Sequence, residues 1–258
     1  MGASPLEVPG LGVGATVQHV PAPDMPAPAT PGLGPVARAH GVSPSARRLA
    51  LLREQVPGMA EQGTLPVPAP LREAIPGGGL AHGTACLFSG TPLVLMGVLA
   101  EVTRAGGHAA LLGLPELGLV AAAEMGADLR RIALVPHPGQ DPAQIISVLL
   151  EGMDLVVIGP GSQGVAPARA RAINARLRGK KTVLAVLGTE WPGARTTIAG
   201  HVRRYAGVSR GRGRLRSHEL LITVQGRGSP PSSVPACLSA AARGTAQDRL
   251  VRWDSADE

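Results

Sequence analysis

The chain has 258 residues, a net charge of +7 and 44% hydrophobic but only 2% aromatic residues, so we expect one sizeable domain with an aliphatic core. The basic charge favours nucleic acid or acidic proteins as partners. The two cysteines lack metal-ligand spacing and no apolar run approaches the length of a membrane span, which argues against a zinc site, a disulfide framework and a membrane protein and favours a cytoplasmic location.

The two ends of the chain have the composition of tails. Residues 1–44 contain repeated Pro and Gly without a period, and we predict a disordered tail because such a segment buries too little apolar surface to fold. Residues 45–70 are predicted to form a short helix and a linker, and residues 71–229 the core domain. The remainder, 230–258, is rich in Pro, Ser and Ala and then in charged residues, which predicts a flexible tail.

Within the core domain, short apolar runs alternate with helical patterns. Strands are predicted over residues 84–90, 108–114, 131–137, 153–159 and 181–188. Helices are predicted over residues 92–107, 117–126, 141–152 (with Asp141 as N-cap) and 166–179. Continuous apolar strands are typical of a parallel sheet that is covered on both faces, so the pattern predicts a doubly wound α/β fold. After residue 190, two β-rich segments around the turn "SRGRGR" predict a closing hairpin.

The segment "LREAIPGGGLAHGTACLFSG" leads from Leu71 through three glycines into a strand that ends at Gly90. It is followed along the chain by three further segments, in this order: "GLPELGLVAAAE", "GMDLVVIG" and "GRGRLRSHELLITVQGRG". The ordered set, over roughly residues 70–229, resembles the RecA superfamily and is most similar to the ImuA-type SOS mutagenesis proteins of actinobacteria. The resemblance implies a RecA-like, mostly parallel sheet flanked by helices, with a β-rich C-terminal hairpin.

The phosphate loop departs from the pattern of that family. A working loop reads Gly-x-x-x-x-Gly-Lys-Ser/Thr, since its N–H groups cradle the phosphates and its lysine neutralises them. Here Gly90 is followed directly by Thr91 and Pro92, and no lysine occurs before Lys180. We interpret the region as a degenerate loop in which Pro92 starts the helix at once.

The acidic positions of the family are lost as well. By the resemblance, Gly159 stands where the magnesium-organising acid ends its strand, and the catalytic glutamate falls on Leu114. Glu116, two residues later, would replace it only in a rebuilt turn. We therefore expect a pseudo-ATPase that lacks the Walker A lysine and the Walker B acid, with no catalytic residues, no cofactor and no metal.

Arginines form the best candidate binding site. Seven lie within the predicted hairpin and its end: Arg203, Arg204, Arg210, Arg212, Arg214, Arg216 and Arg227. On a hairpin they would form a basic surface for DNA phosphates or for a protein partner. A solvated face without function is the alternative, because Tyr205 is the only aromatic residue nearby for base stacking. The same two interpretations apply to the preceding helix with Arg169, Arg171, Arg176 and Arg178.

The resemblance implies a non-catalytic accessory protein of the SOS response to DNA damage, acting in translesion synthesis and mutagenesis. Its implied partners are an ImuB-like protein and an error-prone DNA polymerase, with RecA, DNA and self-association as further options. Two other functions stay open: a divergent RecA- or KaiC-like ATP-binding protein, and a simple DNA-binding protein. A nucleotide-binding assay distinguishes the ATP-binding protein from the adaptor. Salt-dependent DNA binding without a protein partner would favour the simple DNA-binding protein.

Overall fold

The computed structural model describes residues 63–162, 165–188, 190–240 and 251–255. The predicted disordered tail, 1–44, and the helix predicted after it lie outside these ranges. The described residues begin with β1 (Thr64–Leu65), which pairs antiparallel with β2 (Leu80–Ala81), and α1 (Ala69–Ala74) lies between them in the chain. Residues 64–70 are therefore no linker: Val67 has no exposed surface, and its apolar side chain joins the core.

Each strand and helix predicted between residues 84 and 188 is present, with shifts of a few residues at its ends. The strands are β3 (Ala85–Gly90), β4 (Ala109–Leu112), β5 (Ile132–Val135), β6 (Leu155–Ile158) and β7 (Val183–Leu187). The helices are α2 (Leu93–Arg104), α3 (Leu119–Glu124), α4 (Pro142–Leu149) and α5 (Pro167–Leu177). Asp141 caps α4 as predicted, because its Oδ1 accepts a hydrogen bond from Gln144 N at 3.3 Å.

Four further strands complete the sheet: β8 (Thr196–Ser209), β9 (Arg212–Gly226), β10 (Ser232–Ala240) and β11 (Val251–Ser255). The strand order is β11-β10-β9-β8-β3-β7-β6-β4-β5. The strands from β8 to β5 in this order pair in parallel, and β8 to β11 pair antiparallel. The predicted fold class, a doubly wound, mostly parallel α/β sheet flanked by helices with a β-rich C-terminal hairpin, is confirmed.

Two hydrophobic layers hold the helices to the sheet. Alternate residues of β6 show how: Leu155 and Val157 pack into the layer with α1, α2 and α3, while Val156 and Ile158 pack into the layer with α4 and α5. All four are buried, which explains the continuous apolar run in the sequence. None of the helices in the described part of the chain is long and apolar enough to cross a membrane.

The prediction of a flexible tail from residue 230 is wrong for β10 and β11. β10 pairs with residues 217–224 of β9, and β11 pairs with β10. Alternate residues of β10, among them Ala236 and Leu238, are buried, and the intervening Ser and Pro residues hide this period-two pattern in the sequence. Pro235 is tolerated in β10 at an exposed position.

Trp253 of β11 anchors the end of the sheet to α2. Its side chain is 8% exposed, and a Cβ atom at Gly97 of α2 would lie only 2.7 Å from its Nε1. The same Cβ would lie 2.8 Å from Cγ of Pro68, the residue that precedes α1. Gly97 therefore lets α1 and β11 approach α2 more closely than any residue with a side chain would.

We expect Trp253→Ala to lower the free energy of unfolding by about 3–5 kcal/mol, because a large buried aromatic side chain is lost. Arg252→Ala, on the same strand but with an exposed side chain, is the matched control and should change it by about 0.5 kcal/mol or less. Urea unfolding of both variants measures the difference. Equal small losses in the two would contradict the docking of β11 on α2.

Candidate functional site

Four neighbouring parallel strands reach a glycine at the same edge of the sheet. Gly90 ends β3, and Gly113, Gly159 and Gly188 directly follow β4, β6 and β7. In open α/β sheets, ligands bind at this carboxyl edge, next to the ends of the strands. Here the four positions carry no side chain, so the edge offers no carboxylate or ammonium group where the strands end.

The connection from β3 to α2 is a tight turn of two residues, Thr91 and Pro92. Gly90 has a φ of +75°, and a Cβ atom on it would lie 2.1 Å from the carbonyl oxygen of Gly200 in β8. The same oxygen accepts a hydrogen bond from Thr91 N at 2.8 Å. The backbone is thus held against β8 at the point where a phosphate loop would have to arch away from the sheet.

The first turn of α2 belongs to the hydrophobic core. Pro92 is the N-cap residue and has no N–H to offer an anion, and Val94 and Leu95 are each 1% exposed. A Cβ atom on Gly200 would lie 2.6 Å from Cγ2 of Val94, which shows how closely α2 packs on β8. The predicted entry of the chain into the helix at Pro92 agrees with the structure to within one residue.

Leu114 and Gly159, the two positions that the resemblance assigns to acidic residues, contact each other. A Cβ atom on Gly159 would lie 2.2 Å from Cδ2 of Leu114 and 2.7 Å from the carbonyl oxygen of Gly113. The Leu114 side chain therefore occupies the space that an acid at position 159 would need. Glu116 is exposed. No local sequence pattern predicts this contact, because it joins two strand ends that are 45 residues apart in the chain.

We expect Gly159→Ala to cost about 1–3 kcal/mol through overpacking against Leu114. The double variant with Leu114→Ala should be more stable, by about 1 kcal/mol or more, than the sum of the two single losses, since the clash with the Leu114 side chain is relieved while the close approach to Gly113 O stays. Gly152→Ala, at a glycine with nothing within 4 Å of an added Cβ, is the control and should stay within about 0.5 kcal/mol. Additive losses in urea unfolding would show that the two side chains do not compete for space.

The β8–β9 hairpin brings six of the seven candidate arginines into one projecting segment. We call residues 203–216 the arm. Its six arginines, all exposed, are Arg203, Arg204, Arg210, Arg212, Arg214 and Arg216. Arg227 is not among them: its N–H donates to Arg195 O at the opposite end of the hairpin, next to the start of β8. The structure therefore places Arg227 in a separate location.

Most of the arm's positive charge is not neutralised by the residues that the structure describes. Arg204 lies 3.7 Å from a carboxylate oxygen of Glu219, its cross-strand partner. The other five arginines of the arm form no ion pair with any residue that the structure describes. The arm itself contains no acidic residue. It is a concentrated cationic surface with little internal compensation.

The base of the arm carries an aromatic contact that the sequence patterns did not reveal. The rings of Tyr205 and His218, opposite each other on β8 and β9, meet edge to face with centroids 5.3 Å apart. Partial burial lowers the pKa of the His218 imidazole from its usual range. The cross-strand register, rather than any short motif, is the signal that would have identified the pair.

The arginines of α5 differ from those of the arm. Arg169 is neutralised by Asp141, the N-cap of α4, whose carboxylate accepts a 2.6 Å hydrogen bond from Arg169 Nη1. This hydrogen bond is the main reason that the pKa of Asp141 is lowered. Arg171, Arg176 and Arg178 are exposed on the helix. From the sequence alone, the same two interpretations applied to both groups of arginines. In the structure the two groups differ, because one arginine of α5 is paired with Asp141.

Other reactive groups do not form a site among the described residues. No group of three His, Cys, Asp or Glu side chains in that part of the chain is arranged to hold a metal ion. Burial raises the pKa of the Cys86 thiol to about 12, so the nucleophilic thiolate is not formed at neutral pH. Cys237 is less buried, and burial also raises its pKa.

Known proteins resemble this chain in sequence and in structure. The family model of the MT3502 N-terminal domain matches residues 73–193. The uncharacterized protein Rv3395c of Mycobacterium tuberculosis is 42% identical over 190 residues, which cover 70% of this chain and 89% of the relative. The crystal structure of the KaiC-like protein PH0186 from Pyrococcus horikoshii OT3 is 13% identical and matches with a TM-score of 0.49, covering 75% of this chain and 99% of that one.

Proposed function

The chain belongs to the protein family of Rv3395c and the MT3502 N-terminal domain, and from that premise we propose that it is a non-catalytic, RecA-like adaptor. In this proposal it has lost ATP binding and acts in DNA-damage-induced translesion synthesis through its exposed surfaces. Its protein partners are an ImuB-like protein and an error-prone DNA polymerase. These finer assignments follow the resemblance of the ordered motifs to ImuA-type proteins.

The observation that carries the proposal is the two-residue turn between β3 and α2. Thr91 N donates to Gly200 O, so the amide that follows the strand is already satisfied within the sheet. A phosphate loop instead needs several unpaired N–H groups pointed at one anion. The contact of Leu114 with Gly159 supports the same conclusion, since an apolar side chain fills the place of the magnesium-organising acid.

If the chain has no nucleotide site, it acts through surfaces that bind other molecules. The most distinctive exposed surface among the described residues is the arm, which projects from the side of the sheet formed by β8 to β11. Charged surfaces of this kind steer association with acidic partners and set its rate. An adaptor that assembles a polymerase complex on damaged DNA needs such surfaces and no chemistry of its own.

We expect no specific binding of ATP in the presence of magnesium. A ligand at one hundred times its Kd stabilises the folded state by about 2.7 kcal/mol, so millimolar ATP should leave the melting temperature unchanged unless it binds. Inorganic tripolyphosphate is the matched control, because the basic arm attracts any polyanion. Saturable ATP binding that exceeds the effect of tripolyphosphate, and that changes with substitutions in residues 90–97, would contradict the proposal.

We expect the tagged full chain, recovered from cells after DNA damage, to retain an ImuB-like protein and an error-prone polymerase. The complex should survive nuclease treatment, because the adaptor contacts its partner directly. The same pull-down from undamaged cells is the control and should yield less of both. Loss of the partners on nuclease treatment would show that DNA, and not this chain, connects them.

A further inference from the structure

The outer part of the arm, from Gly207 to Arg216, is a free two-stranded ribbon at one side of the sheet. β3 pairs only with residues 196–200 of β8, and β10 pairs only with residues 217–224 of β9. From Gly207 to Arg216, β8 and β9 therefore have only each other as partners among the described residues, whereas Arg203 and Arg204 lie at the base of the arm, where β9 still pairs with β10. At about 3.3 Å per residue, the ribbon extends roughly 10–15 Å past its last neighbouring strand.

Its arginines are spaced as a repeated set along one strand. Arg212, Arg214 and Arg216 occupy every second position of β9, in phase with the buried Leu220 and Ile222 further along. The ladder is not regular here: its register shifts between the pairs Ala206–Ser217 and Val208–Gly213, so counting alone does not place the residues of β9 on the two sides of the shift on one face. All three arginines are exposed, so the ribbon is cationic where it leaves the domain. Like charges at neighbouring positions repel one another, and an anionic partner would relieve that repulsion.

The shape of the ribbon favours duplex DNA over single strands. The major groove of B-DNA is about 12 Å wide and admits a two-stranded β-ribbon. Guanidinium groups bind phosphate oxygens with two parallel hydrogen bonds. Single-strand binding instead depends on aromatic rings on which bases stack. The arm has one such ring, Tyr205, and it is already in contact with His218.

We propose that the arm binds duplex DNA through its phosphates, with the two-stranded ribbon lying in the major groove. Binding is independent of sequence, because phosphate contacts position a protein without specifying bases. This site goes beyond the adaptor role and does not depend on the state of the nucleotide position. The ATP assay and the DNA assay therefore fail or succeed separately.

The test is fluorescence anisotropy of the full chain with a labelled 25-bp duplex across several salt concentrations. Each phosphate contact contributes about −0.9 to the slope of log K against log salt on duplex DNA. Replacing Arg210, Arg212 and Arg214 together with Ala should make the slope shallower by roughly two to three units. Replacing the same three residues with Lys should keep the slope, because the positive charges stay. A changed slope in the Ala variant alone is then due to lost phosphate contacts and not to a lost fold.

The matched control removes the same charge from α5. Replacing the exposed Arg171, Arg176 and Arg178 with Ala should leave the slope unchanged, because these residues lie on a helix and not on the arm. Affinity for a single strand of equal length should be lower than for the duplex.

Three results would overturn the proposal. The first is an unchanged slope in the Ala variant of the arm. The second is an equal loss in the α5 control, which would reduce the effect to net charge. The third is tighter binding to single strands than to duplex. If the arm variant keeps DNA binding but loses its protein partner, the arm binds an acidic protein surface instead.

Discussion

The close approach of β3 and β8 at Gly90 and Gly200 is the constraint on which the rest of this structure depends. No side chain fits at Gly90, because a Cβ atom would lie 2.1 Å from the Gly200 carbonyl oxygen, and the next amide donates to that same oxygen. The chain must therefore turn into α2 at once. As a result the first turn of α2, with Val94 packed against β8, is core and not a ligand cradle.

The carboxyl edge of the sheet and the arm differ in the chemical groups that they expose. At the edge, strands end in glycines, and Leu114 occupies the space beside Gly159. On the arm, exposed arginines lie on a ribbon with little internal pairing. An α/β sheet of this kind usually places its charged and polar groups at the carboxyl edge. Here the exposed positive charge lies on the hairpin, where the proposed binding of DNA takes place.

The sequence predicted the central sheet well because its signals are local. Five apolar runs between residues 84 and 188 became β3 to β7, and Asp141 before Pro142 marked the start of α4. It failed for β10 and β11, where Ser and Pro mask the alternation and where Trp253 is stabilised by α2 and not by its own neighbours. The contact between Leu114 and Gly159 and the placement of Arg227 away from the arm were equally out of reach, since both depend on pairing between distant segments.

The proposal that the turn between β3 and α2 does not bind nucleotide is tested most directly by amide hydrogen exchange over residues 89–97, with and without magnesium ATP. The Thr91 amide is hydrogen-bonded to Gly200, so its exchange should be slow in the free chain and should not change when the nucleotide is added. Exchange over α4, which lies away from this turn, serves as the internal reference. Fast exchange at the turn that becomes slow only with ATP would show that the segment opens to form a phosphate site, and would contradict the account.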